Sequence, residues 1–337
     1  MNFKFLSNII ITLNFLFINS SNVFADQAIN ETKDNVNNVA DASHKSICDT
    51  GDSFVDIVSL NVNSIPYEDF SSGCEIVSIV NLLNYYMRYY KYQVDLNNFY
   101  ENYFVHMDWQ LIKSKNKETQ KIEEIIYGPH PDYAFPGDPR IVSGDNCGFG
   151  CFKYAICNSI NKFFENFDKS KNKKYKNKDD KKHNKSKKFK AVFEEGVSTD
   201  DAISRFIKKG IPVLIWSTQP DDKDIPKEQV SKTVLKMRKS GGLGNWWIVN
   251  FPKFLQGTIY TWTRGEHCSL LIGESAKCYK ICDPFRGIIY VDKESLNESR
   301  KIFNNQIVYL EEEIPKQIEK ITEIVLKIKN KVIISQN

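Results

Sequence analysis

Ser71-Ser72-Gly73-Cys74-Glu75-Ile76-Val77-Ser78-Ile79-Val80-Asn81-Leu82-Leu83-Asn84-Tyr85-Tyr86 runs from small polar residues into a dense apolar stretch. Ser72 and Glu75 stand in the Ser-x-x-Glu spacing of a capping box. There the hydroxyl bonds the amide three residues on and the carboxylate reaches back. The spacing predicts a helix from Ser72 to about Tyr90, with Cys74 in its first turn. Ile76, Val77, Ile79, Val80, Leu82 and Leu83 cover most sides of that helix, so it should be central and buried. A thiol there lies near the positive end of the helix dipole and beside free backbone N–H groups. Both favour thiolate, the form that attacks carbonyl carbon. Cys74 is therefore the candidate nucleophile, against the alternative of a small core cysteine.

Working outward, the 337 residues can bury one large core or two modest ones. With 41% apolar and 26% charged residues, the composition is that of a soluble globular protein. A net charge of +4 comes largely from one local run and says little about a partner. Residues 1–25 have the layout of a secretory signal: Lys4, an apolar core from Ile9 to Ile18, then Val23-Phe24-Ala25 before Asp26. That core is too short to span a membrane comfortably, and no later stretch approaches about 18 uninterrupted apolar residues. The expectation is an exported protein, secreted or at the cell surface, with no transmembrane segment.

Asp26 to about residue 52 is polar and aperiodic, a flexible leader. The folded domain is expected over 53–312. Within it, 168–190 is a Lys/Asn-rich insertion that cannot bury enough apolar surface to order itself. It lacks the aromatic interleaving that base stacking needs, so no nucleic-acid partner is expected. Residues 313–337 carry a C-terminal amphipathic helix after Pro315. Gly128 to Gly150 reads as an ordered loop that could wall a cleft. Thr199 to Lys209 reads as a short helix capped by Ser198 or Thr199 and stopped by Gly210, before a strand at Ile211–Trp216. Gln219 to Trp262 reads as an irregular excursion. Its Trp246, Trp247, Tyr260 and Trp262 either pack on the core or line a groove.

Export would permit disulfides among Cys48, Cys74, Cys147, Cys151, Cys157, Cys268, Cys278 and Cys282. Cys147/Cys151 and Cys278/Cys282 share one spacing and could together hold zinc. A local disulfide or plain buried thiols are the favoured reading, and no metal or cofactor is expected.

A nucleophilic thiol needs a base. Of His44, His106, His130, His183 and His267, only His267 opens an apolar strand, His267–Gly273. A second strand, Cys278–Cys282, leads into Asp283-Pro284-Phe285-Arg286-Gly287. A β-hairpin centred near Ser275 sets His267 directly opposite Asp283, on one sheet face. The carboxylate can then accept the Nδ1 proton and present Nε2 to the thiol. The plain alternatives are a strand-edge histidine and a turn-forming Asp before Pro.

Pro66-Tyr67, then Ser72-Gly73-Cys74-Glu75 with Asn84-Tyr85-Tyr86, resembles the N-terminal signature of the C39-like cysteine peptidases of the papain-like superfamily. Ala134–Pro139, Gly148–Cys151, Gly210–Val213, Glu266-His267-Cys268 and Asp283–Gly287 follow in the same order. The resemblance spans roughly Val55 to Leu310. It implies an α+β papain-like cysteine peptidase fold, with an N-terminal nucleophile helix packed on an antiparallel β-sheet. It also implies a Cys74 nucleophile, a His267 base and an Asp283 orienter, acting on a peptide or protein substrate through an acyl-enzyme. One feature departs from the family: the residues just before Cys74, Tyr67-Glu68-Asp69-Phe70, hold no Gln to stabilise the oxyanion, and Asn63 or a backbone N–H would have to serve. Two other readings follow, a transglutaminase-type acyl transferase and a catalytically weak or inactive peptide-binding protein.

Overall fold

The structure, a computed structural model, describes residues 55–312 except 68, 117–118, 175–187 and 245–246. The signal, the leader, the C-terminal helix and most of the charged insertion lie outside the described residues.

In chain order the elements are β1 (Asp56–Ser59), α1 (Cys74–Met87), α2 (Leu96–Asn102), β2 (His106–Met107), β3 (Gln110–Lys115), β4 (Ile122–Pro129), β5 (Phe135–Pro136) and α3 (Lys153–Lys174). Then come β6 (Phe189–Glu194), α4 (Thr199–Arg205), β7 (Val213–Thr218), β8 (Pro220–Asp221), α5 (Lys227–Val230), β9 (Val234–Met237), β10 (Trp247–Phe251) and β11 (Ile259–Tyr260). The chain continues through β12 (Glu266–Ser275), β13 (Cys278–Asp283), β14 (Gly287–Asp292), α6 (Lys293–Lys301) and β15 (Ile307–Glu312).

A mixed α/β architecture results. The main sheet has nine strands in the order β6-β15-β7-β12-β13-β14-β9-β8, with β1 also on β12. Its pairings are antiparallel except β14 with β9. A four-stranded sheet, β11-β10-β4-β3, and the pair β2-β5 stand beside it.

Side-chain alternation sorts the main sheet into two cores. Leu214, Trp216, Cys268, Leu270, Cys282 and Val308 pack with α1, α2 and α3. Val213, Ile215, Leu271, Ile281, Ile289 and Ile307 pack with Ala202, Ile203 and Leu296 of α4 and α6. Apolar layers on both faces explain why Val213–Trp216 reads as an unbroken apolar run. Every residue of α1 except Asn84 is buried, as its all-round apolar pattern predicts.

Several local readings are corrected. The capping box is absent: α1 begins at Cys74 with Gly73 as N-cap, and no side chain caps it. Gly73 is tightly enclosed, since a Cβ there would meet Ile76 Cγ2 at 2.8 Å and Pro139 Cβ at 2.9 Å. The charged insertion is shorter than 168–190, because α3 runs to Lys174 and β6 starts at Phe189. The excursion from Gln219 holds strands β8 to β11 and the short α5. These strands span two to five residues, too short for period-two alternation to show. At α4, Ser198 is the cap, accepting from Asp201 N at 3.1 Å, and Gly210 ends the following turn at φ 82°.

Candidate active site

Two contacts one helical turn apart dock the start of α1 on β12. Ser78 Oγ donates to Cys268 O at 3.1 Å, and Cys74 Sγ accepts from Cys268 N at 3.4 Å. The sulfur thus rests against the peptide that joins His267 to Cys268. Its own proton is directed to Glu75 Oε2 at 3.2 Å.

Glu75 is fully buried in the first turn of α1. Its carboxylate reaches across the fold instead of back to the helix start, taking the Cys151 N–H on Oε1 at 2.7 Å. Glu266, at the start of β12, lies against the same spot. A Cβ on Gly150 would sit 2.3 Å from Glu266 Oε2 and 2.8 Å from Glu75 Oε1, so only glycine leaves room for both carboxyls. Gly150 also has φ 92°, in the left-handed region. Cys74 Sγ and one oxygen from each glutamate all lie within 4.8 Å of one another.

That crowding raises every acid in the group. Burial first, then Glu75 and Glu266, push the Cys74 thiol well above its ordinary range, although the Cys268 N–H pulls the other way. Burial also raises Glu75. Burial and then the Glu75 charge raise Glu266 strongly. Glu266 Oε1 is buried without a partner. A shared proton between the two glutamates satisfies this geometry, with Glu75 as the carboxylate because both its oxygens already meet donors. The expectation that the helix start favours thiolate is therefore overturned here. Desolvation and two carboxyls outweigh the dipole and push the Cys74 thiol upward. Among the described residues this trio has the spacing to hold a divalent ion. Cys147/Cys151 and Cys278/Cys282 are not gathered into a site, and every described cysteine is free.

His267 and Asp283 are both fully buried, with His267 Nε2 2.6 Å from Asp283 Oδ2. The ring is turned opposite to the expected way: Nε2 meets the acid, and Nδ1 is buried without a hydrogen-bond partner. The hairpin register also differs. Near the site Leu270 pairs with Cys282 and Leu271 with Ile281, which sets Ser269 rather than His267 opposite Asp283. The offset is two residues, so parity is kept. The two side chains share a face and meet diagonally, a span of about 7–8 Å between backbones that His and Asp can bridge. Toward the tip the pairing is Gly273 with Lys280 and Glu274 with Tyr279, one residue out of step. A β-bulge between Leu271 and Gly273 absorbs the difference. Continued unbroken, the tip register would oppose Asp283 to Leu270, whose side chain faces α1.

Burial alone would raise Asp283, but His267 and Arg286 hold its carboxyl below the usual range. Of the sequence candidates, the structure brings His267 and Asp283 into contact. It sets the Cys74 sulfur against the neighbouring Cys268 N–H, with no hydrogen bond to the imidazole. The His267 ring lies 5.5 Å from the ring of Phe285, which packs against the same core as α1.

Sequence reasoning missed Glu75 and Glu266 as partners of the sulfur. A carboxylate inside an otherwise apolar, all-round buried helix was the available signal. Trp247 packs with Trp109, Val249, Phe149 and Trp262 in a small core of its own. A cavity of about 470 Å³ opens elsewhere, lined by Pro66, Tyr67, Asp69 and Phe70 just before α1 and by Gln93 and Asp95.

Neither a protein-family model nor a curated protein matches the chain. Among solved structures, a protein from Bacillus anthracis described as a candidate C39-like peptidase is similar. It is 18% identical with a TM-score of 0.47, over 77% of this chain and 98% of that chain.

Proposed function

We propose that this protein is an exported papain-like cysteine peptidase or amidase, with Cys74 as nucleophile, His267 as base and Asp283 as orienter. One observation carries the reading. The Cys74 sulfur contacts the N–H of the residue after His267, and the His267 ring is bonded to a buried carboxylate. The ordered C39-like motifs from Pro66 to Gly287 agree with it.

In this mechanism the sulfur turns from Glu75 to the open Nδ1 of His267. The imidazole takes the thiol proton, and Asp283 stabilises the imidazolium. The thiolate adds to a substrate carbonyl, and the oxyanion is met by the Cys74 N–H, which as a first-turn group has no intrahelical partner. The imidazolium then protonates the leaving amine, and the thioester is released by water, or by an amine in the transferase variant. The cavity beside Tyr67 and Phe70 offers room for a peptide side chain.

The second reading is a peptide-binding protein without turnover. It is favoured by the thiol's hydrogen bond to Glu75 and by the absence of a Gln among Tyr67 to Phe70, just before Cys74. Iodoacetamide labelling with peptide mapping separates the two. The peptidase reading expects Cys74 to label faster than the other thiols and to lose that advantage in His267→Ala. Equal labelling in both proteins rejects it. A labelled peptide incubated with and without an amine acceptor distinguishes hydrolysis from transfer.

A further inference from the structure

We infer that Arg286 and Asp222 are positioning residues that aim Asp283 at His267 and set how much of its negative charge the imidazole feels; this rests on the peptidase reading above. Asp283 uses both oxygens. Oδ2 faces His267 Nε2, while Oδ1 accepts the Phe285 N–H and the Arg286 N–H at 2.9 Å each and Arg286 Nη1 at 3.4 Å. The other edge of the guanidinium grips Asp222, Nε to Oδ2 at 2.7 Å and Nη2 to Oδ1 at 3.0 Å. Asp222 also meets Arg238 Nη2 at 3.1 Å, and Arg238 Nε lies 3.5 Å from Asp221.

The result is a row of alternating charges running outward from the site: Asp283, Arg286, Asp222, Arg238, Asp221. Side-chain exposure climbs along it from 0% through 12, 23 and 42 to 49%. A carboxylate with no solvent contact stays ionised only where donors replace water. His267 and the backbone N–H groups of Phe285 and Arg286 supply that replacement, and the guanidinium fork fixes the plane of the acid as a lysine's point charge cannot. Asp222 in turn competes with Asp283 for the same guanidinium and so sets how much negative charge the imidazole feels. The segment that delivers Asp222 follows β8, so the excursion after Gln219 is tied to the site by this ion pair.

A purely structural clamp and a charge-setting one differ in sign. Removing the Arg286 charge leaves Asp283 more negative toward the ring and favours the thiolate–imidazolium pair. Removing the Asp222 charge releases the whole guanidinium to Asp283 and disfavours it. Cys74 alkylation by iodoacetamide, mapped by peptide across a pH series, reads this in the full chain for Arg286→Gln, Asp222→Asn and Arg286→Lys.

The alkylation midpoint should fall in Arg286→Gln, rise in Asp222→Asn and stay near wild type in Arg286→Lys. In Asp222→Asn, kcat on a peptide should drop about tenfold with KM held. Midpoints that stay put or move the same way, with Cys74 labelling still dependent on His267, overturn this inference alone. Wild-type Cys74 labelling no faster than in His267→Ala overturns the peptidase reading and this inference with it. Should Arg286→Gln lose its fold by circular dichroism, Asp222→Asn, nearer the surface, decides the matter on the direction of its midpoint.

Discussion

Glu266 and His267 are neighbours on one strand, yet their surroundings are opposite in kind. Glu266 meets Glu75 and the Cys74 thiol, a trio of acids in which Glu75 accepts the Cys151 N–H and the sulfur the Cys268 N–H. His267 meets Asp283, which Arg286 and Asp222 back with alternating charge. Both groups are buried, and their carboxyls respond in opposite directions: Glu75 and Glu266 are raised, Asp283 is lowered. Burial therefore does not decide a carboxyl's charge. The count of donors and cations facing it does.

The sharpest way to test this contrast is to remove the acid on the compensated side. Asp283→Asn keeps the shape but not the charge, and peptide turnover should fall on the order of 10⁴-fold, checked by steady-state hydrolysis. A fall below tenfold would mean that the compensated side does not orient the base. On the crowded side, Gly150→Ala forces a methyl between two carboxyls at a left-handed position. It should lower stability by roughly 1–3 kcal/mol, read from the denaturant midpoint. Next, Glu75→Gln removes the charge nearest the sulfur, and the pH midpoint of Cys74 alkylation should fall by about one unit.

The smallest effect concerns stability against pH. Glu266 has a folded pKa above its unfolded value, so its contribution is present at low pH and is lost as pH rises through the folded pKa. Asp283 has the reverse sign, its contribution present above the unfolded pKa and lost as pH falls through the folded one. Glu266→Gln should therefore flatten the decline on the alkaline side of the carboxylate range and gain roughly 2–4 °C there in thermal melts. Its acid limb should stay as in wild type.

These contrasts also explain what could be read in advance. The all-round apolar helix at Cys74, the β12–β13 hairpin and the Ser198 and Gly210 boundaries of α4 are local patterns, and sequence carries them. The partners of Glu75 are not local, since Cys151 lies 76 residues away. A Ser-x-x-Glu spacing suggests a cap when nothing else competes for the carboxylate, and here a buried thiol and a distant N–H do. The ring orientation of His267 and the two-residue offset of the hairpin depend on the turn and on one bulge, which alternation alone does not reveal. Asp222 and Arg286 are 64 residues apart, and only the folded sheet makes them neighbours.

The extra residue between Leu271 and Gly273 has an evolutionary consequence. Six unbroken pairings with β7, from Glu266 to Leu271, hold the working end of the strand. The tip answers to β1 and to its own turn. Changes in the length of that turn can be taken up before they reach His267, so the hairpin's outer end is free to diverge while the chemistry at its base keeps step.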